Sequence, residues 1–348
     1  MFSYLLRLCF LILLLPSLAS ASLRDWFEQR NEIFYLRGPW NWAVAHHLPE
    51  LRKELNGIDF GHAHLAETLL HTDNPAAIER ARLEVLAFIN SKPALPPDEA
   101  FIAPTFERLV WAVQNTFDWA HQLHRDLYDL FAADNVTDKE TAYHEILTNY
   151  LAQPQAITPQ PLDHPGALWR FPESRNFIRR FPKFNAQIWA YHWLQAKVAE
   201  VQLGRIAADQ QTALQPVLSE YHGYLDNPPL QWTFMPMFHE IAPTFSQRFP
   251  EAANIFDNLH MLHDNIDDVL SSPDLFPTLE AKRERIYQLL EIYLNRNHQP
   301  GDERYAQYRA PVGVMHHHAD MTQPPSLGKA PPQTTPDQEK PAELHRHH

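Results

Sequence analysis

The stretch Asn115–Asp129, NTFDWAHQLHRDLYD, returns 139 residues later as Asn254–Asp268, NIFDNLHMLHDNIDD. The two share Asn115/Asn254, Phe117/Phe256, Asp118/Asp257, His121/His260, Leu123/Leu262, His124/His263 and Asp129/Asp268. Upstream, at the same offset, Ile102-Ala103-Pro104-Thr105-Phe106 recurs as Ile241-Ala242-Pro243-Thr244-Phe245. Across 102–129 and 241–268, twelve of twenty-eight positions are identical without a gap. Two separate clusters in one register point to an internal duplication. Further upstream the likeness fades; Ala45-His46-His47-Leu48 lies on Ala190-Tyr191-His192-Trp193 only at a different offset.

Both copies repeat apolar residues with a helical period. At about 100° per residue, Phe117, Ala120, Leu123, Leu127, Leu130 and Phe131 form one arc, as do Phe256, Leu259, Leu262, Ile266, Val269 and Leu270. His124 and His263 fall inside these arcs, and His121 and His260 lie on their edges. Asp118, Asp257 and Asp268 point further out. The fold class expected is all-α, with two helical-bundle units related by a pseudo-twofold axis. Periodicity and proline punctuation predict helices over 22–36, 41–56, 60–71, 75–91, 98–132, 138–152, 185–206, 209–225, 236–271 and 278–296. Pro97 and Pro236 suit helix starts. Pro104 and Pro243 fall inside predicted helices, where each is expected to bend the axis.

The expected organisation is a signal peptide over 1–21, one helical unit over 22–153 and a proline-rich linker over 154–182. A second unit then covers 183–298, and a disordered His- and Pro-rich tail covers 299–348. Arg7, the apolar run Leu8–Leu15 and Ala19-Ser20-Ala21 read as an export signal cut after Ala21. The protein is therefore expected outside the cytoplasm, periplasmic or extracellular, with no transmembrane anchor once the signal is removed. Cys9 is the single cysteine and would leave with the signal. Disulfides, thiolate metal sites, cysteine nucleophiles and thioether-linked haem are thereby excluded from the mature chain. The formal charge of −13, −14 without Arg7, disfavours nucleic acid as a partner and is compatible with cations.

His192 is expected deep in a face made by Ile188, Trp189, Ala196, Ala199 and Leu203, and His47 flanks Val44, Leu51 and Leu55. By the same test His46, His222 and His239 are exposed. Converging neutral imidazoles bind copper, iron or zinc, so His121, His124, His260, His263, His192 and His47 form the candidate metal site. Asp118 and Asp257 are candidates to orient those histidines. Asp-x-x-His spacing is analogous to the Glu-x-x-His pairs of helical di-iron proteins, but the shorter, outward aspartates do not complete that template. His64, Glu67 and His71 share one helical face and make a further candidate metal site. In the tail, Met315, His316, His317, His318 and Met321 combine thioether and imidazole donors suited to copper.

The sequence has no Gly-rich phosphate loop, G-x-S-x-G elbow or H-E-x-x-H motif. Asn135-Val136-Thr137 is a glycosylation sequon, meaningful only in a eukaryotic secretory host. The expected function is an exported helical metalloprotein with a histidine-rich transition-metal site, the metal being copper, iron or zinc. As an enzyme it would run a redox or oxygen-dependent reaction. The competing readings are a non-catalytic copper or zinc binding or delivery protein, and a helical interaction protein with structural histidines.

Overall fold

The computed structural model describes residues 36–163, 170–228, 230 and 235–295. The expected signal peptide, nearly all of the helix over 22–36, and the tail with Met315, His316, His317, His318 and Met321 lie outside the described residues. Among the described residues there are fourteen helices: α1 (Ala43–His47), α2 (Pro49–His71), α3 (Pro75–Asn90), α4 (Glu99–Ile102), α5 (Pro104–Leu109), α6 (Trp111–Ala132) and α7 (Lys139–Leu151), then α8 (Asn176–Arg180), α9 (Pro182–Gln202), α10 (Ala207–Asp226), α11 (Phe238–Ile241), α12 (Pro243–Arg248), α13 (Pro250–Leu270) and α14 (Leu279–Tyr293). Extended backbone pairs at one isolated antiparallel bridge, Ile157 with Leu294. No described helix is long and apolar enough to cross a membrane.

The core is made by the four longest apolar-faced helices. α2 and α6 each pack against both α9 and α13. An outer helix covers each of them: α3 on α2, α7 on α6, α10 on α9 and α14 on α13. Close approach is achieved with small residues. A Cβ on Gly61 would stand 2.7 Å from the Tyr191 ring of α9, and one on Gly57 would stand 3.0 Å from Ile89 of α3.

Prolines set where these helices begin. The expectation that Pro104 and Pro243 bend continuous helices is corrected: each starts a new helix, at the first turn, where a missing N–H costs nothing. The segments 98–132 and 236–271 accordingly break into three helices each, at Ala103 and Val110 and at Ala242 and Phe249. Pro49 and Pro182 act likewise, and Leu48 and Phe181 before them adopt the same backbone, φ −129° ψ 55° and φ −132° ψ 55°. These two helix starts lie 133 residues apart. The break expected between 56 and 60 is absent, because Gly57 and Gly61 serve packing inside one helix. Within the segment expected as a linker, α8 forms, and Thr158 N–H donates to the Tyr293 carbonyl at 2.8 Å.

Carboxylates hold backbone N–H groups at four places. The Asp129 carboxylate accepts from the N–H groups of Trp42 (3.1 Å) and Val44 (2.7 Å). The Asp268 carboxylate accepts from Arg175 (2.6 Å) and Phe177 (2.9 Å). Trp42 and Arg175 both sit in the left-handed region, with φ 68° and 67°, a costly conformation for residues with side chains. Glu67 accepts from Thr105 and Phe106 N–H at the start of α5, and Glu200 from Thr244 and Phe245 N–H at the start of α12. Asp268 and Asp257, expected to point outward, are buried. Polar backbone, not water, surrounds the flank of the arc they occupy.

Replacing Asp129 or Asp268 by alanine deprives two backbone N–H groups of their acceptor. Each variant should lose about 1–3 kcal/mol of stability, read from denaturant midpoints. Asp138→Ala, which removes an exposed cap from Thr141, should lose only about 1 kcal/mol. Equal, small losses in all three would show that the buried clamps are dispensable.

Candidate metal centre

Each of the four core helices sends histidine inward: His62 from α2, His121 and His124 from α6, His192 from α9, His260 and His263 from α13. The rings form a connected cluster. His62 stands 4.5 Å from His263, 5.1 Å from His192 and 6.1 Å from His121, centroid to centroid. His192 is 4.0 Å from His260 and 5.4 Å from His263. Across the pair α6 and α13, His121–His263 and His124–His260 are separated by 6.0 and 6.4 Å. The two repeated pairs therefore meet diagonally, the outer member of one opposite the inner member of the other.

Ligand nitrogens of His62, His192 and His263 all lie within 4.8 Å of one another. A tetrahedral zinc ion, with Zn–N of about 2.0–2.1 Å, needs neighbouring nitrogens about 3.3–3.4 Å apart. Both ring nitrogens of His62, His124 and His263, and Nε2 of His192, are buried without a hydrogen-bond partner. Leaving such groups unpaired costs roughly 1–3 kcal/mol apiece, so this interior is built at a cost that a shared ligand would offset.

The residues Met235 and Pro236 orient two of the rings. His192 Nδ1 lies 2.9 Å from the Met235 thioether, and His260 Nδ1 lies 3.3 Å from the Pro236 carbonyl. A proton on each Nδ1 leaves Nε2 with its lone pair directed inward, the arrangement metal-ligating histidines require. Behind the cluster, Arg82 Nη1 donates to Gln187 Oε1 at 3.2 Å, and Gln187 donates to the Tyr191 hydroxyl. This buried chain backs the Tyr191 ring against Gly61, one residue from His62.

Burial favours the neutral form of His62, His121, His124, His192 and His263. Burial, with the neighbouring His121 adding to it and Asp59 opposing, pulls His62 down to about 4. Burial foremost, then the other imidazoles, holds His124, His192 and His263 well below the usual histidine range. Burial also lowers His121, against the pull of Asp59. Neutral imidazole is the form that binds a metal.

Sequence reasoning placed His121, His124, His192, His260 and His263 on apolar faces, and the structure brings all five together. It missed His62, although Ile58, Leu65, Ala66 and Leu69 surround that position at helical spacing; only the neighbouring His64 drew notice there. His47 is not brought into the cluster: it is half-buried, with its ring 4.7 Å from that of His46. The trio His64, Glu67 and His71 does not converge. His64 Nε2 pairs with Glu84 at 2.9 Å, whereas Glu67 caps α5 and meets His71 at 3.0 Å. His222 and His239, expected exposed, are half-buried and bonded to Glu54 and Asn254 at 3.0 Å each. Asp257 accepts from Phe238 N–H at 2.6 Å, fixing α11 on α13. Asp118 accepts from Gln114 at 3.1 Å.

Comparison of the chain with family models, curated proteins and solved structures finds no match.

The depressed His62 value predicts a specific acid response. The ring is neutral in both folded and unfolded chains above the ordinary value of 6.5, so its stabilising contribution is full there. As pH falls from 6.5 towards 4, the unfolded chain takes up the proton first and that contribution is lost. Ring nitrogen NMR of the metal-free protein should show His62 neutral at pH 5. Protonation with a midpoint between 6 and 7 would contradict the burial of its nitrogens.

Proposed function

We propose that this chain is an extracytoplasmic metalloprotein built by duplication, holding a transition-metal ion between its two halves. The observation that carries the proposal is the convergence of His62, His192 and His263 from three helices, with both ring nitrogens of His62 and His263 and Nε2 of His192 buried without a hydrogen-bond partner. His260, His124 and His121 complete the surrounding ring of imidazoles. The pseudo-twofold reading is supported by the paired clamps of Asp129 and Asp268, the paired caps of Glu67 and Glu200, and the shared order of helices. One domain boundary then falls between α7 and α8. Export is supported by the leader-like first twenty-one residues.

The ion is copper, iron or zinc, because neutral imidazole donors suit all three. Burial favours a resident ion over one handed on to a partner, since release from this interior requires helices to move. A resident copper or iron ion on neutral imidazoles suits electron transfer or oxygen chemistry.

Elemental analysis of untagged protein from its own compartment should find the metal at about one equivalent or more per chain. His192→Ala and His263→Ala should each lower tightly bound copper at least tenfold. Adding copper at a hundred times its Kd should stabilise the wild-type fold by about 2.7 kcal/mol. A chain that purifies without metal, and whose melting is indifferent to both copper and chelator, would leave these histidines a structural role only.

A further inference from the structure

Beside the imidazole cluster stands a group with different donor chemistry. Asp59 on α2, Glu99 at the first turn of α4 and His121 on α6 bring two carboxylates and one imidazole together, their ligand atoms all within 4.8 Å of one another. His121 is 6 % exposed, and its Nδ1 is buried without a hydrogen-bond partner. That nitrogen faces Asp59 Oδ1 at 3.8 Å, too far for a hydrogen bond and suited to an atom between them. Asp59 itself is 5 % exposed. Its other oxygen, Oδ2, is engaged by Arg125, which turns Oδ1 towards His121. Glu99 Oε2 accepts from Gln114 Nε2, which also donates to Asp118 Oδ1 at 3.1 Å.

We propose that Asp59, Glu99 and His121 form a second cation subsite, next to the three-imidazole subsite and harder in character. Two carboxylate oxygens and one nitrogen favour manganese(II), iron(II) or zinc over copper(I). The charges permit it: Asp59, Glu99 and the nearby Asp118 carry three negative charges against the guanidinium groups of Arg125 and Arg52, so a divalent cation brings the group to a net charge of +1. The His121 ring is 6.1 Å from His62, so the two subsites lie side by side, and His121 serves the carboxylate side. This assignment rests on its own donor set and does not require the imidazole subsite to be filled.

Manganese(II) added to the full-length protein and followed by electron paramagnetic resonance is the test, because manganese discriminates against all-imidazole sites and the histidines of the tail. The wild type should bind one equivalent, with the aqueous six-line signal lost and modulation from one imidazole nitrogen present. Glu99→Gln and His121→Gln should each weaken manganese binding at least tenfold. His192→Ala, which strips the imidazole subsite, should leave it unchanged. Glu99 is half-exposed at the start of a short helix, so its variant should fold; circular dichroism confirms this, and His121→Gln decides the matter if it does not. Absence of manganese binding in the wild type, or binding that survives both substitutions, overturns the subsite. Loss of manganese in His192→Ala as well would also overturn it, by merging the two groups into one. None of these outcomes bears on copper binding by His62, His192 and His263.

Discussion

A helix uses its own N–H and C=O groups on itself, so an interior made of helices has few hydrogen-bonding partners to lend. Six imidazoles carried into such an interior must find partners among side chains, at the breaks between helices, or in something bound. Two of them use the breaks: the chain just before α11 supplies the Met235 sulfur to His192 and the Pro236 carbonyl to His260. For His62, His124 and His263 no such partner is at hand. The organisation of the core follows from this shortage, because each of the four core helices contributes to the same polar pocket and none can turn its histidine away without exposing an apolar face.

The remainder of the architecture positions those helices. Short helices α4, α5, α11 and α12 act as corners, and the starts of α5 and α12 are each held by a glutamate reaching across from another helix. The aspartate clamps tie the starts of α1 and α8 to the ends of α6 and α13. Both devices join backbone N–H groups to a single carboxylate, so they fix position more tightly than apolar contact alone. The left-handed Trp42 and Arg175 are held in place by such bonds.

Much of this was legible in sequence. The 3.6-residue period identified the helices, and the arcs through Leu123 and Leu262 carried His124 and His263 inside; His121 and His260, placed at the arc edges, are buried as well. What escaped had physical causes. Pro104 and Pro243 were read as kinks because periodicity runs on through 98–132 and 236–271; hydrophobic phase does not register a break that preserves the facing of both sides. Asp257 and Asp268 were placed outside because a helical wheel assumes that the flank of an arc meets water, whereas here it meets other backbone. His62 was overlooked since α2 is a gently amphipathic helix whose polar Asp59, His62 and Glu67 interrupt the apolar stripe. The carboxylate group of Asp59, Glu99 and His121 draws on three separate helices, and contacts of that kind leave no local spacing to find.

Of the six clustered rings, His62 alone retains a partly open surface, and the other five are enclosed. Its two nitrogens are nevertheless shielded. It thus stands like a door leaf set in the wall, one side weathered and the other facing the room. Solvent therefore touches the cluster at the carbon edge of His62, while both of its nitrogens face protein.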